Sequence, residues 1–413
     1  MRAVMKVAAL TAAATMALAA CGEAPSEEDP AGQDQTSEDA GNGSGDDMAG
    51  ETGDDMAGET GDDMAGETGD DMAGETGDDM AGETGAMVDG SDFKACMVSD
   101  SGGFDDQSFN QSGAQGMEAA EESMGVEIVL VESQSDADYA TNVGGLVQQD
   151  CSLTIGVGFL LEDAIQVAAE ENPDTSFALV DSAFSDEEFN PVELDNAKPI
   201  LFNTAEAAFL AGYLAAGMTE TGTVATFGGL QIPSVAIFMD GFSDGVDTYN
   251  ADNGTDVQLL GWDKEGQTGS FSGDFTNQSV GQTLTNEFIS QGADIVMPVA
   301  GPVGLGAAAA AEGKDGVMII WVDSDGYETT GFGELMLTSV LKQIGPAVEE
   351  TITQSIEDFD NQPYVGTLEN DGVGLAPFHD FDGEVPQELK DAIADYEEQI
   401  ISGELVVESP NSP

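Results

Sequence analysis

Carboxylates, glycines, aromatic rings and amides crowd together in Asp100-Ser-Gly-Gly-Phe-Asp105-Asp106-Gln-Ser-Phe109-Asn110. An apolar run, Ala95 to Val98, precedes them and reads as a strand, and the helical pattern that follows starts near Ser112. In an open α/β sheet, ligands sit at the carboxyl ends of strands, where such loops meet helix N-termini. Phe109 offers a flat face for an aromatic ligand, and Asn110 offers a donor and an acceptor beside it. These groups suit holding a small molecule.

Residues for bond-breaking chemistry are missing from the pattern. The single histidine, His379, lies in a loop punctuated by Gly and Pro, with no cysteine or histidine companion, so a zinc or other metal site is not expected. No serine occupies the centre of a Gly-x-Ser-x-Gly elbow, and no P-loop lysine is present. Acid pairs such as Asp105–Asp106 recur throughout so acidic a chain and carry no information alone. One motif points elsewhere. Gly304-Leu-Gly306-Ala-Ala-Ala309 fits Gly-x-Gly-x-x-Ala, with Asp323 about twenty residues on, where a dinucleotide enzyme holds a ribose. Glycines before a helix serve any ligand that must approach the backbone, so no cofactor is expected.

Strands alternating with helices must position these loops. Glu127–Glu132, Leu153–Gly158, Ser176–Asp181, Thr223–Gly228, Val257–Gly261, Asp294–Val299 and Val317–Val322 read as strands. Helical stretches lie between them at Glu162–Glu171, Ala205–Met218, Val280–Gln291 and Leu305–Glu312. This alternation predicts an α/β fold with parallel sheets covered on both faces. About 320 residues exceeds one comfortable core, so two lobes are expected, with the seam near Phe202. Asp181, Asp325 and Phe159 fall on the cleft rim by strand position.

Upstream, Arg2 and Lys6 precede an apolar segment, Val7 to Ala20, and Leu18-Ala-Ala-Cys21 has the form of a lipobox. The expectation is cleavage over residues 1–21, a lipid on Cys21, and anchoring to the outer face of the cytoplasmic membrane. Residues 22–90 include Gly-Asp-Asp-Met-Ala-Gly-Glu-Thr five times over, from Gly45 to Thr84. With nothing to build a core, they read as an acidic, disordered tether reaching on the order of 45 Å. An acidic, calcium-responsive adhesion protein is the reading of another class. It would need calcium-dependent structure in these repeats.

Of the 81 acids, 58 lie in residues 91–413 against six lysines, so this part carries about −52. Nucleic acid and anionic membrane surfaces are poor partners for such a charge. Screening at roughly 8 Å in physiological salt would relieve the self-repulsion, which points to a salt-rich, halophilic setting. Cys96 and Cys151 are an even pair outside the cytoplasm and form a disulfide candidate. A 2-1-3 strand order would make their strands neighbours.

Several segments together resemble the basic membrane protein (BMP) family of lipoproteins, the purine-nucleoside-binding components of ABC importers. They are Asp100…Asp106-Gln-Ser-Phe-Asn110; Glu206-Ala-Ala-Phe-Leu-Ala-Gly212-Tyr-Leu-Ala-Ala; and Phe227-Gly-Gly-Leu-Gln-Ile-Pro233 with Gly241-Phe-x-x-Gly245. Gly292-Ala-Asp-Ile-Val, Ala300-Gly301, Val322-Asp-Ser-Asp325, Leu337-Thr-Ser-Val-Leu-Lys342 and Gly372-Val-Gly-Leu-Ala376 follow in order. The resemblance implies a type I periplasmic-binding-protein fold, two Rossmann-like lobes joined by a three-crossover hinge. Its lobes would be 91–202 with about 326–358, and 203–325 with about 359–408. It also implies a purine nucleoside (inosine, guanosine or adenosine) stacked between Phe109 and Phe275, with Asp100 and Asn110 on the base. Gly301, Asp323 and Lys342 would hold the ribose, and ABC permease subunits would be the partners.

Residue chemistry agrees with that assignment, since a carboxylate accepts two hydroxyl protons and a lysine donates back. Lys342 reads as lying in an otherwise apolar helix. Plainer roles are a surface lysine, a turn aspartate at 323 and core phenylalanines at 109 and 275. Phe271, four positions earlier, competes with Phe275 for the second stacking face. Asn277 stands where the family more often has aspartate. A sugar or other polar solute is the alternative ligand within the same fold.

Overall fold

The computed structural model describes residues 88–186 and 190–413; the leader with Cys21 and the acidic repeats lie outside the described residues. The first half runs β1 (Lys94–Ser99), α1 (Phe109–Met124), β2 (Glu127–Val131), α2 (Tyr139–Val147), β3 (Leu153–Val157), α3 (Glu162–Glu171), β4 (Ser176–Val180) and β5 (Ala197–Phe202). The second continues through α4 (Thr204–Met218), β6 (Thr223–Gly228), α5 (Pro233–Asn253), β7 (Gln258–Leu260), and a small ribbon of β8 (Trp262–Asp263) and β9 (Thr268–Gly269). Then come α6 (Gln278–Ser290), β10 (Ile295–Val299), α7 (Val303–Ala311), β11 (Met318–Asp323), α8 (Gly326–Thr329) and β12 (Met336–Lys342). Last are α9 (Ile344–Asp358), β13 (Tyr364–Gly366), β14 (Val373–Leu375) and α10 (Gln387–Ile401).

Two six-stranded sheets result, ordered β13-β5-β4-β3-β1-β2 and β14-β12-β11-β10-β6-β7. All pairings within them are parallel except β12 with β14. Their central strands are buried along their whole length, as in β3 and β10, because helices cover both faces. Helix α4 is apolar nearly all round and buried at twelve of its fifteen residues, so it serves as core rather than as a surface helix. One contiguous apolar cluster passes from Met97 and Ile155 through α4 and α5 to Met297 and Ile320. Separate clusters lie under α2 with α3 and under α6 with α7.

The sheets correct the expected lobe boundaries. Strand β12 belongs to the second sheet, where the first lobe is expected to hold 326–358, and β13 joins β5 in the first sheet, where the second lobe is expected to hold 359–408. The chain therefore crosses at Phe202–Thr204, Lys342–Ile344 and Gly366–Val373. Gly90 already belongs to the folded body, since it is buried and its N–H donates to Met124 O at 2.9 Å. Helix α1 starts at Phe109, three residues before the expected Ser112, because the Asp106 carboxylate accepts from the N–H groups of Ser108, Asn110 and Gln111. Lys342 ends a strand, not a helix.

Cys96 and Cys151 are joined in a disulfide with Cα atoms 5.9 Å apart, linking β1 to the approach to β3. Glycines let helices touch through their backbones. A Cβ at Gly212 would meet Phe242 O at 2.1 Å, and one at Gly245 would meet Phe209 O at 2.0 Å, so α4 and α5 have no side chains between them there. Gly304 and Gly306 of the dinucleotide-like motif serve packing too. Their Cβ positions are filled by the Trp321 ring and by Gln278 O of α6. No helix among the described residues is long and apolar enough to cross a membrane.

Candidate functional site

A cleft of about 520 Å³, counting its open mouth, lies where the carboxyl ends of both sheets face each other. Asp100, Phe109, Asn110, Phe275, Gly301, Asp323 and Lys342 all line it, and so do Asp181 and Phe159. Asp325 does not. Its carboxylate caps α8 at Tyr327 N and meets His379 Nε2 at 2.7 Å, while the His379 ring stacks on Tyr327.

At one end, Asp100 follows β1 and is buried. Its Oδ1 accepts from Asn110 Nδ2 at 3.2 Å, and its Oδ2 fills the space a Cβ would take at Gly158, 2.0 Å away. Only glycine fits there, and its φ of +117° also favours glycine. Burial pushes the Asp100 carboxyl well above its ordinary range, with Asp106 and Asp181 adding to the rise and Asn110 opposing it. Asn110 Oδ1 is buried with no hydrogen-bond partner among the described residues. A protonated carboxyl beside a free amide oxygen presents a donor and an acceptor to the edge of a heteroaromatic ring, and an ionised one presents two acceptors.

At the other end, Lys342 Nζ lies 2.6 Å from Asp181 Oδ2 and 3.6 Å from Asp323 Oδ1, with side chains 2%, 8% and 8% exposed. Asp181 follows β4 of the first lobe and Asp323 ends β11 of the second. Both adopt the left-handed conformation (φ +68° and +69°), uncommon for residues other than glycine and most tolerable for Asp and Asn. Burial pushes the Asp181 carboxyl up, Lys342 pulls it down, and burial prevails. The ammonium also faces three rings, Phe109 at 5.0 Å, Phe238 at 5.1 Å and Phe202 at 5.7 Å. Two carboxylates bridged by one ammonium form a set of acceptors and donors suited to vicinal hydroxyls.

Between these ends, Phe109 comes from the first lobe, with Phe275 and Phe238 from the second. Phe275 packs over Gly229, where a Cβ would come within 2.2 Å of its ring. Phe271 points elsewhere, edge-on to Trp262 at 6.0 Å and against Gly228, and it is Phe275 that lines the cleft. Gly301, at φ +51°, exposes backbone just before α7. Phe238 and the part Asp181 plays in the ionic group escaped the sequence reading. An aspartate ending a strand was the signal for one, while Phe238 looks like any core position of α5.

Two α/β lobes, three crossovers and a polar-aromatic cleft between strand ends define the type I periplasmic-binding fold. A solute-binding protein of an ABC transporter system from Aeropyrum pernix K1 shares this fold, with a TM-score of 0.67 at 24% identity over 76% of this chain and 92% of that one. The sequence profile described as "ABC transporter substrate-binding protein PnrA-like" matches residues 93–410, and the chain belongs to this Bmp family. Among relatives, the "CD4+ T-cell-stimulating antigen" of Listeria monocytogenes is 30% identical over 342 residues, covering 78% of this chain and 89% of that protein. The "ABC transporter nucleoside-binding protein BmpA" of Lactococcus lactis is 30% identical over 339 residues, covering 77% and 90%.

Proposed function

We propose that the cleft captures a purine nucleoside, with its base between Phe109 and Phe275. Asp100 and Asn110 read the base edge, and Asp323, Lys342, Asp181 and the Gly301 backbone take the ribose hydroxyls. The observation that carries this reading is the arrangement of one cleft. Aromatic walls from both lobes, an orphaned buried amide oxygen and a hydroxyl-binding ionic group line a single space. A base and a sugar joined by one bond demand that combination. The name of the Lactococcus relative agrees with it.

In this reading the protein is a lipoprotein held by Cys21 at the outer membrane face and spaced from it by the acidic repeats. It hands its ligand to an ABC permease after the lobes close. Calorimetric titration of residues 88–413 in high salt tests the ligand, with inosine, guanosine, adenosine and ribose as separate arms. Saturable binding of a nucleoside, lost in Phe109→Ala, supports the assignment. Binding of ribose alone with equal affinity would instead favour a sugar carrier.

A further inference from the structure

Beside the cleft-lining Phe109 and Asp323, the loop before α1 touches the second lobe through hydroxyls. Ser108, fully buried, brings its Oγ to 2.9 Å from Asp323 Oδ2 and 3.1 Å from Val322 O, its one proton shared between them. The Ser324 hydroxyl donates to Gln107 O at 2.9 Å. Thr329 Oγ1 reaches the same carbonyl at 3.2 Å while also lying 3.0 Å from Asp325 O. Gln107, Ser108, Ser324 and Thr329 do not line the ligand cleft. Their positions are nevertheless fixed. Ser108 N donates to Asp106 Oδ1, Ser108 O accepts from Ser112, and Gln107, at φ +59°, donates its N–H to Gln111 Oε1.

We propose that Ser108 is a positioning residue. With the Gln107 carbonyl and the Ser324 hydroxyl it forms a latch that joins the lobes and aims Asp323 at the sugar. The inference rests on the nucleoside reading for the identity of the ligand, but not for the latch itself. Ser108 immediately precedes Phe109, and its partner Asp323 immediately follows Val322. One contact between lobes therefore sets the spacing between the wall that meets the base and the carboxylate that meets the sugar. Opening the lobes breaks these bonds together, and a ligand spanning both walls favours their re-formation. Holding base and sugar in one closed geometry makes the intact nucleoside bind more tightly than either fragment alone.

Stopped-flow measurement of nucleoside association and dissociation on Ser108→Ala, Ser324→Ala and Ser324→Thr tests this, with small-angle X-ray scattering on the same proteins. Ser108→Ala removes one oxygen, and Ser324 is partly exposed, so thermal melts confirm that each variant is folded. Dissociation should quicken about tenfold in Ser108→Ala, as for the loss of a hydrogen bond to a charged group, and severalfold in Ser324→Ala. Ser324→Thr, which keeps the hydroxyl, should restore the wild-type rate. Association should stay within about twofold, because the open form meets the ligand before the latch closes. Unchanged dissociation in both alanine variants, or slower association with unchanged dissociation, would overturn the latch. If the wild type binds no nucleoside, the ligand assignment falls, and the latch is then judged on unliganded scattering. A larger radius of gyration in Ser108→Ala/Ser324→Ala supports it, and identical curves overturn it.

Discussion

Replacing Lys342 by methionine keeps the apolar stem among Phe109, Phe202 and Phe238 but removes the ammonium that bridges Asp181 and Asp323. Two buried carboxylates are then left facing each other. Breaking one partner from a buried ion pair costs about 3–5 kcal/mol. A folded part of about 320 residues loses about 0.7 kcal/mol of stability per degree near its midpoint. The melting temperature at pH 7.5 should therefore fall by about 4–7 °C in scanning calorimetry. Salt will rescue little of this, since screening acts mainly on exposed charges. Acid should rescue much of it. Burial already holds the Asp181 carboxyl above its ordinary range, and Lys342 is what pulls it down. Without the lysine that carboxyl protonates at higher pH, so the deficit should shrink by more than half between pH 7.5 and pH 5. A deficit that stays constant or grows on acidification would refute the argument that uncompensated burial is its cause.

Phe275→Ala should weaken nucleoside binding about tenfold or more, the value of one base–aromatic stack, while Phe271→Ala should change calorimetric affinity by less than threefold. The wild-type protein should gain stability on mild acidification, because Asp100, Asp106 and Asp181 all have folded-state pKa values raised by burial. Their contribution is fully present below the unfolded carboxylate pKa of about 3.9 and is lost as pH rises through the folded values, so urea midpoints should increase from pH 8 down to pH 5. The disulfide closes a loop of 55 residues, worth about 4 kcal/mol on the chain-entropy account. The double variant Cys96→Ala/Cys151→Ala should accordingly melt about 6 °C lower by circular dichroism.

Periodicity made most of the architecture readable because parallel strands covered on both faces leave unbroken apolar runs. Thr223–Gly228 and Glu162–Glu171 occupy the residues expected of them. The same property misled at Leu337–Lys342, where a short apolar run fits a buried strand and a helix equally well. That one element moved the lobe boundary, together with β13, whose three residues are too few to show a pattern. The seven candidate residues that line the cleft could be picked out because family motifs carry their order. Asp181 could not be assigned a role, because its meaning depends on Lys342, 161 residues further on. The left-handed backbones of Asp181 and Asp323 leave no compositional trace, whereas at a glycine the residue itself hints at such a conformation.

Glycine contacts also decide where the molecule can yield. Helices α4 and α9 are the segments entered directly from the first and second crossovers, and each is pressed backbone to backbone on a neighbour. Gly212 and Gly245 weld α4 to α5, and Gly116, whose Cβ would meet Gly345 O at 2.3 Å, welds α9 to α1. With no flexible side chains cushioning these seams, neither helix can slip or roll without taking its neighbour along. A small rotation at Lys342–Ile344 is thus passed undamped through Gly345 to α1, the helix that bears Phe109 at its first residue. Phe109, on the cleft wall, sits at the tip of a stiff lever whose pivot is the crossover itself.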